Sequence, residues 1–274
     1  MATVTETLTY FAPADTLDLV KTFECGQCFR WSVDAAGVYT GVAFGRAARL
    51  WTEDRGVFID ADEPDLWREY FDLDTDYGEA SRAFLGISPY MDACVTYGRG
   101  IRILRQERWE ALCSFILSQC NNIPRIRGIV ERLCKGFGES FDFRGETLYT
   151  FPSAERLAAL SPQDLAPLRC GYRAPYVIDA ARKVADGSLN LDVLALCGCR
   201  DSLAALKGIS GVGEKVANCA NLFGLGHLEA FPVDVWMRRA LREHFPPDFD
   251  PDVFGANAGL AQQYIFYYAR SGGE

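Results

Sequence analysis

The segment most informative about the fold is Leu206-Lys207-Gly208-Ile209-Ser210-Gly211-Val212-Gly213-Glu214-Lys215-Val216-Ala217. One helix is predicted to end at Leu206 and a second to begin near Glu214, with a glycine-rich turn between them. The three glycines permit positive φ angles and close approach of another backbone. Their amides, with the free N–H groups of the second helix, predict a site for an anion such as a phosphate.

The spacing of this turn resembles the helix–hairpin–helix motif of proteins that bind DNA without sequence specificity. A glycine-rich turn between two helices of an unrelated protein is the alternative. The register of Gly211-Val212-Gly213 favours the motif, so Gly211 and Gly213 are predicted to contact DNA.

Two residues behind the hairpin predict catalysis. The helix dipole disfavours the ammonium form of Lys215, and a neutral amine can attack a sugar C1′ and form a Schiff base. Asp234, 19 residues later, precedes a predicted helix, where a carboxylate caps the helix and stays ionised. It could stabilise positive charge on the sugar as a glycosidic bond breaks. A surface lysine and a structural cap are the alternatives, and the combination favours catalysis.

Charged residues are unevenly distributed along the chain, and this changes what the net charge implies about a nucleic-acid partner. The 274 residues carry a net charge of -9, which argues against a nucleic-acid partner. Residues 1–98, however, hold 7 basic and 17 acidic side chains, whereas residues 99–245 hold 20 and 16. Seven arginines lie in one stretch: Arg99, Arg102, Arg105, Arg108, Arg125, Arg127 and Arg132. A solvated helix face and a phosphate-facing surface both fit them, and charge alone leaves this open.

Composition predicts a globular protein in a reducing compartment. Hydrophobic residues make up 49%, and no apolar run is long enough to span a membrane. The opening residues lack the basic cluster of a secretory signal, and ten scattered cysteines do not fit a disulfide scaffold in a chain of this length. We expect a monomer that is not secreted. It would lie in the cytoplasm with the nucleoid in a bacterium or archaeon, and in the nucleus in a eukaryote.

Periodicity predicts an α+β fold. An N-terminal antiparallel β-sheet domain (1–98) precedes a mostly α-helical body (99–274) that contains the hairpin (206–217). The predicted strands are Cys28–Trp31, Val38–Phe44, Ala48–Thr52 and Gly56–Ile59. The predicted helices are Trp109–Gln119, one with Pro124 in its first turn that runs to about Lys135, Ala174–Val184, Asp201–Leu206, Glu214–Phe223, Val235–Phe245 and Ala256–Arg270. Ser153 and Ser161 are predicted to cap further helices.

The run Gly211–Cys219 followed by Val233-Asp234-Val235 resembles the 8-oxoguanine DNA glycosylase family of the helix–hairpin–helix glycosylase superfamily. The resemblance covers nearly the whole chain in order. It extends to Gly26-Gln27-Cys28-Phe29-Arg30-Trp31, Tyr70–Asp74, Ile103–Gln106, Ser114–Ile116, Asn121–Ile123, Arg125-Ile126, Val130–Cys134 and Gly171–Ala174. It implies excision of 8-oxoguanine from double-stranded DNA, followed by strand cleavage at the abasic site, without a cofactor.

The resemblance also implies roles for individual residues. Lys215 would be the Schiff-base nucleophile, and Asp234 the carboxylate that supports glycosidic cleavage. The flipped base would be contacted by Gly26, Cys219, Gln262 and Phe266, with the C-terminal helix closing the pocket. DNA contacts are implied for Asn122, Arg125, Tyr172, Arg173 and Trp236. Tyr172 would insert into the duplex, and Arg125 and Arg173 would contact the unpaired cytosine.

Two positions depart from the family pattern. Cys120 stands where eukaryotic members have a third consecutive asparagine, and Trp236 stands where they have a histidine. The first affects contacts to the opposite strand and the second affects contacts on the phosphate side. No metal cofactor is expected, although the family can hold a monovalent cation on backbone carbonyls, here at Lys207, Ile209 and Val212.

Other protein classes explain fewer of these features. A non-catalytic hairpin module would not need Lys215 and Asp234. The Cys25-Gly26-Gln27-Cys28 run has no thioredoxin-like βαβ pattern around it, so two buried thiols are expected there instead of a redox pair. An iron–sulfur glycosylase needs four cysteines after the catalytic aspartate, whereas the last cysteine here is Cys219. A monofunctional alkylbase glycosylase would not need the lysine.

Overall fold

Short segments of alternating burial form an antiparallel sheet in the first third of the chain. The computed structural model describes residues 9–271. The strands are Thr9–Pro13 (β1), Trp31–Val33 (β2), Tyr39–Ala43 (β3), Arg46–Glu53 (β4) and Gly56–Ala61 (β5). They pair in the order β1-β5-β4-β3-β2. In β4, Ala48 and Leu50 are fully buried, whereas Arg49 between them is half-buried. This period of two turns one face of the sheet toward a core.

Two helices and a group of aromatic rings cover that face. The helices are Leu19–Glu24 (α1) and Pro64–Tyr70 (α2). Asp18 begins α1 as its N-cap by accepting a hydrogen bond from the Lys21 amide. Phe23 stacks on Trp31 with 4.4 Å between ring centroids, and Trp67 meets Trp31 edge-on. The sheet core therefore lies directly beside residues 25–30, the segment that carries Gly26.

The remaining chain is mostly helical, apart from a two-stranded hairpin. Its helices are Tyr77–Arg82 (α3), Pro89–Gly98 (α4), Arg108–Leu117 (α5), Ile123–Phe137 (α6), Ala154–Ala158 (α7), Ala174–Ala185 (α8), Leu191–Leu196 (α9), Cys199–Leu206 (α10), Glu214–Ala220 (α11), Val235–His244 (α12) and Ala258–Ser271 (α13). The hairpin consists of Ser140–Phe143 (β6) and Glu146–Tyr149 (β7). None of the helices within residues 9–271 is long and apolar enough to cross a membrane.

Helix α5 lies at the centre of the helical core. Residues 109–117 are all buried, and α5 packs against α6, α8, α9 and α11. Phe84 and Met91, from the segments around α3 and α4, belong to this core and not to the sheet core. The α+β class, with an antiparallel sheet in front of a helical body that contains the hairpin, is confirmed.

Two local predictions were wrong. Residues 28–30 form no strand and β2 begins only at Trp31, because the chain turns at Gly26, where φ is +80°. Ser161 caps no helix, since its amide and hydroxyl both donate to the Asp164 carboxylate within a turn. Ser153 does begin α7 as predicted, by accepting a hydrogen bond from the Arg156 amide. The sequence analysis did not predict β1, α1 or the β6–β7 hairpin.

Candidate active site

The glycine-rich turn joins α10 to α11 with the predicted geometry. Gly211 has a φ of +74°, and a Cβ at this position would lie 2.3 Å from the Tyr176 ring, so only glycine fits. Gly213 precedes α11, and no side chain accepts hydrogen bonds from the first amides of this helix. Asp179 fixes the turn by accepting a hydrogen bond from the Ser210 amide at 2.8 Å. The turn therefore presents exposed backbone amides of the kind that bind an anion.

The carbonyls proposed for a monovalent cation belong to the same turn. The Ile209 carbonyl accepts one hydrogen bond, from the Val212 amide at 3.1 Å. The Lys207 side chain forms an exposed ion pair with Glu214. Cation binding at Lys207, Ile209 and Val212 stays a prediction. Among residues 9–271, no three His, Cys, Asp or Glu side chains are grouped closely enough to hold a metal ion.

Lys215 lies in the first turn of α11, half-buried above aromatic rings. Its Nζ is 5.6 Å from the centroid of the Phe115 ring. Phe115 stacks on Phe223 and meets Phe29 edge-on at 5.8 Å between centroids. Because Phe29 comes from the segment before β2, the sheet side of the molecule contributes to the surface beneath the candidate nucleophile.

Asp234 begins α12 as its N-cap, as predicted. One carboxylate oxygen accepts hydrogen bonds from the Trp236 and Met237 amides, both at 2.9 Å. Burial raises the pKa of the Cys219 thiol. The positive charge of Lys215 lowers this pKa, and the Asp234 carboxylate raises it. Cys219 therefore lies within electrostatic range of both residues. Lys215 and Cys219, four residues apart on α11, share one helix face, and the Asp234 carboxylate acts on the same thiol.

A second group of predicted residues surrounds Gly26. A Cβ built on Gly26 would lie 3.5 Å from the Phe266 ring and 3.5 Å from Ile123, so this backbone closely approaches α13 and the start of α6. Gln262, one turn before Phe266 on α13, is buried, and its side-chain oxygen accepts a hydrogen bond from Gln263 at 3.1 Å. The Gly26 backbone and Phe266 thus lie in contact range, with Gln262 on the same helix face.

Gln27, which the sequence analysis did not assign a role, fixes the position of the Gly26 turn. Its fully buried amide donates to the carbonyls of Thr22 (3.0 Å) and Arg102 (2.7 Å). Its side-chain oxygen accepts from the Leu104 amide at 2.9 Å. A buried amide with partners on both atoms holds its backbone in one place. Its place beside Gly26 was the available signal, but two of its partners, Arg102 and Leu104, lie 75 and 77 residues away in sequence.

The thiols on either side of Gly26 are buried and free. Cys25 and Cys28 form no disulfide, as expected of two small apolar side chains. Burial raises the pKa of Cys25 to about 12. Both thiols therefore lack the thiolate character of a redox pair.

The residues predicted to contact DNA differ in accessibility. Asn122 begins α6 as its N-cap by accepting a hydrogen bond from the Arg125 amide, and both residues are exposed. Tyr172 is 52% exposed. Trp236, in the first turn of α12, is 38% exposed beside Asp234.

Arg173 is 3% exposed, in contrast to Arg125. Its guanidinium donates to the carbonyls of Gln119, Cys120 and Cys170 and lies 4.4 Å from the Tyr172 ring centroid. Contact between Arg173 and a cytosine stays a prediction, and it requires these hydrogen bonds to be exchanged. A hydrogen bond with the Cys120 thiol raises the pKa of the Tyr172 phenol. Cys120, which departs from the family pattern, therefore lies near Tyr172, the residue predicted to enter the duplex.

Cavity volume does not locate this site. Two clefts of about 830 and 1010 Å³ lie between the sheet and the helical body, and neither is lined by Lys215, Asp234, Gly26 or Phe266. The chemistry of the side chains identifies the site instead.

Comparison with known proteins gives matches along most of the chain. Residues 9–112 match the family model described as 8-oxoguanine DNA glycosylase, N-terminal domain. Residues 113–253 match the model of the HhH-GPD superfamily base excision DNA repair protein. A curated N-glycosylase/DNA lyase from Saccharomyces cerevisiae is 36% identical over 179 residues, which cover 61% of this chain and 45% of that protein. The chain thus matches less than half the length of this relative.

Solved structures match over greater lengths. The structure of MBOgg1 in complex with a low-affinity DNA ligand has a TM-score of 0.89 and 39% identity, covering 97% of this chain and 96% of that one. The Clostridium acetobutylicum 8-oxoguanine glycosylase/lyase was solved with double-stranded DNA containing cytosine opposite 8-oxoguanine. It has a TM-score of 0.87 and 34% identity, covering 94% of this chain and 93% of that one.

Proposed function

The chain belongs to the 8-oxoguanine DNA glycosylase family of the HhH-GPD superfamily, and on that premise we propose that it excises 8-oxoguanine from double-stranded DNA and cleaves the strand at the resulting abasic site. The observation that carries the proposal is the placement of Lys215 in the first turn of α11, directly after a hairpin that exposes backbone amides, with Asp234 as the N-cap of α12. A base-excision enzyme needs such a nucleophile beside a phosphate-binding turn.

The proposed reaction begins with the damaged nucleotide turned out of the duplex. The lone pair of the Lys215 amine attacks C1′, and the C1′–N9 bond breaks. The base leaves with the electron pair and takes up a proton. Asp234, whose side chain accepts hydrogen bonds from two backbone amides at the start of α12, stabilises the positive charge that develops on the sugar.

Strand cleavage uses the same covalent bond. The proton on the attached nitrogen passes to O4′ as the C1′–O4′ bond breaks, which opens the sugar ring and gives a Schiff base between Lys215 and C1′. Removal of a C2′ proton then expels the 3′ phosphate by β-elimination. These reaction steps use side chains of the protein and no cofactor.

Recognition of the lesion is proposed to use the Gly26 carbonyl. Oxidation at C8 places a proton on N7, which changes this atom from an acceptor into a donor. The Gly26 carbonyl would accept from N7–H of the lesion, whereas it would face a lone pair in guanine. Phe266, within 3.5 Å of the Cβ position of Gly26, is placed to stack on a base there. The network around Gln27 keeps this carbonyl from moving toward an undamaged base.

The opposite strand is proposed to contribute a preference for cytosine. The exposed Arg125 at the start of α6 can donate to the O2 and N3 acceptors of an orphaned cytosine. The DNA bound by the Clostridium acetobutylicum enzyme carries cytosine opposite the lesion, which supports this pairing. We propose that the protein acts as a monomer.

Borohydride trapping tests the proposed chemistry. A labelled duplex with 8-oxoguanine opposite each of the four bases is incubated with enzyme and borohydride, which reduces a Schiff base to a stable adduct. We expect an adduct that forms fastest opposite cytosine and is absent for Lys215→Gln. The control is Lys135→Gln, because Lys135 is exposed on α6 and pairs only with Glu131. A Lys215→Gln protein that still forms the adduct would overturn the proposal.

A further inference from the structure

Arg270 lies on the helix face that carries the proposed base contacts. Gln262, Phe266 and Arg270 follow one another at intervals of four residues on α13, so they share one face. The guanidinium carbon of Arg270 is 5.8 Å from the Phe266 ring centroid. Its Nη1 is 3.6 Å from the Cβ position of Gly26. A positive charge therefore borders the contact between Gly26 and Phe266.

The Arg270 guanidinium has an unused buried donor. Nη1 is buried and has no hydrogen-bond partner within residues 9–271. The charge of Arg270 acts on the neighbouring Cys25 thiol. Burial raises the pKa of this thiol, and Arg270 lowers it. The large majority of buried side-chain donors in folded proteins have a partner, and leaving one without a partner is costly. A donor without a partner beside the residues proposed to contact the base indicates that the base supplies the acceptor.

The Hoogsteen edge of 8-oxoguanine offers acceptors at that place. If the Gly26 carbonyl accepts from N7–H, the carbonyl oxygens on C6 and C8 lie on either side of this contact. A donor adjacent to Gly26 then meets one of them. When the C1′–N9 bond breaks, the purine takes the electron pair, and its carbonyl oxygens share the negative charge. A fixed cation at this edge stabilises the transition state more than the bound substrate.

We propose that Arg270 donates a hydrogen bond to a Hoogsteen-edge carbonyl oxygen of the flipped base and stabilises the charge on the base as it leaves. This inference rests on the proposed excision of 8-oxoguanine. It adds to the pocket a positive charge on the side of the leaving group, complementary to the Asp234 carboxylate on the side of the sugar.

The test compares Arg270→Met with Arg270→Lys. Met keeps an aliphatic chain against Phe266 and removes the charge, whereas Lys keeps both the charge and a donor. Single-turnover excision of 8-oxoguanine opposite cytosine should fall about 100-fold for Arg270→Met and recover to within about fivefold of wild type for Arg270→Lys. Cleavage of a preformed abasic site should change less than about twofold in both variants, because no base is present to receive the contact.

A second substrate identifies the accepting oxygen. In 8-oxoadenine an amino group replaces the C6 oxygen, whereas the C8 oxygen and N7–H remain. A loss of the same size on both bases in Arg270→Met assigns the contact to the C8 oxygen. A loss confined to 8-oxoguanine assigns it to the C6 oxygen.

Other outcomes would overturn the inference. An Arg270→Met enzyme with the wild-type excision rate would show that the guanidinium does not contact the base. Equal losses in the Met and Lys variants would show that charge is not what matters. Parallel loss of excision, abasic cleavage and thermal stability would make Arg270 a structural residue. Absence of excision by the wild-type protein would instead reject the proposed function itself.

Discussion

The buried carboxyl of Glu110 should make the protein less stable as the pH rises. Glu110 lies on α5, and its Oε2 accepts a hydrogen bond from Arg30 at 3.2 Å. Arg30 also donates to the Tyr149 carbonyl, so this pair joins the segment before β2 to the helical body. Burial raises the pKa of Glu110 from 4.5 to about 7, although Arg30 acts in the opposite direction. The cost of removing the carboxylate from water exceeds the attraction of its partner.

The raised pKa fixes the sign and size of the effect. Below pH 4.5 the carboxyl is protonated in both the folded and the unfolded chain, and it does not alter stability. Between pH 4.5 and 7 the unfolded chain loses the proton while the folded chain keeps it, so the free energy of unfolding falls as the pH rises. From pH 5 to pH 8 the expected loss is roughly 2 to 3 kcal/mol. Above pH 8 no further loss is expected from this group.

Urea unfolding of wild type and Glu110→Gln at several pH values between 5 and 8 measures the loss of stability that Glu110 causes. Gln cannot ionise, so the free energy of unfolding of wild type minus that of Glu110→Gln should decrease by roughly 2 to 3 kcal/mol across the range. Glu131→Gln is the control, because Glu131 is exposed and pairs with Lys135 on the same helix, and its difference from wild type should stay nearly constant. A difference between wild type and Glu110→Gln that stays constant, or rises with pH, would refute the reasoning.

Two glycine substitutions test the geometry of the site. Gly211→Ala should lower the free energy of unfolding by about 2 kcal/mol and weaken DNA binding, because its φ is positive and the methyl would meet Tyr176. Gly213→Ala, with open space around it, should leave the urea midpoint almost unchanged, and equal effects of the two changes would contradict this account. Gly26→Ala should slow excision of 8-oxoguanine while cleavage of a preformed abasic site persists, since a methyl fits between Ile123 and Phe266 only by occupying the base contact. If assays show that both activities fall together, or that neither falls, Gly26 does not contact the base.

Helices with strong local signals were predictable to within a few residues. Pro124 occupies the first turn of α6, and Asp234 caps α12, because both effects depend only on the backbone next to them. The apolar stripe of α8 likewise gave its bounds to within one residue. The glycine spacing predicted the turn between α10 and α11, since positive φ at Gly211 is a property of the residue itself.

The short strands were harder to predict because their stability comes from partners elsewhere in the chain. β1 pairs with β5, about 50 residues later, and no pattern within Thr9–Pro13 specifies that contact. The β6–β7 hairpin has four residues in each strand, too few for a clear alternation. Ser161 has the residue type of a helix cap, but the Asp164 carboxylate accepts hydrogen bonds from its amide and hydroxyl. Competition of this kind is decided by geometry within the turn and not by residue type.

The two arginines of the site show what sequence could not determine. Arg173 belongs to a quoted motif, yet its guanidinium binds carbonyls of Gln119 and Cys120, more than 50 residues earlier. Arg270 is the single basic residue after position 245 and lies four residues after Phe266, a signal that was available. What could not be foreseen is that three carbonyls satisfy Arg173 while a donor of Arg270 stays free beside Gly26. Whether a buried guanidinium supports the fold or faces a ligand depends on which acceptors the packing brings within reach.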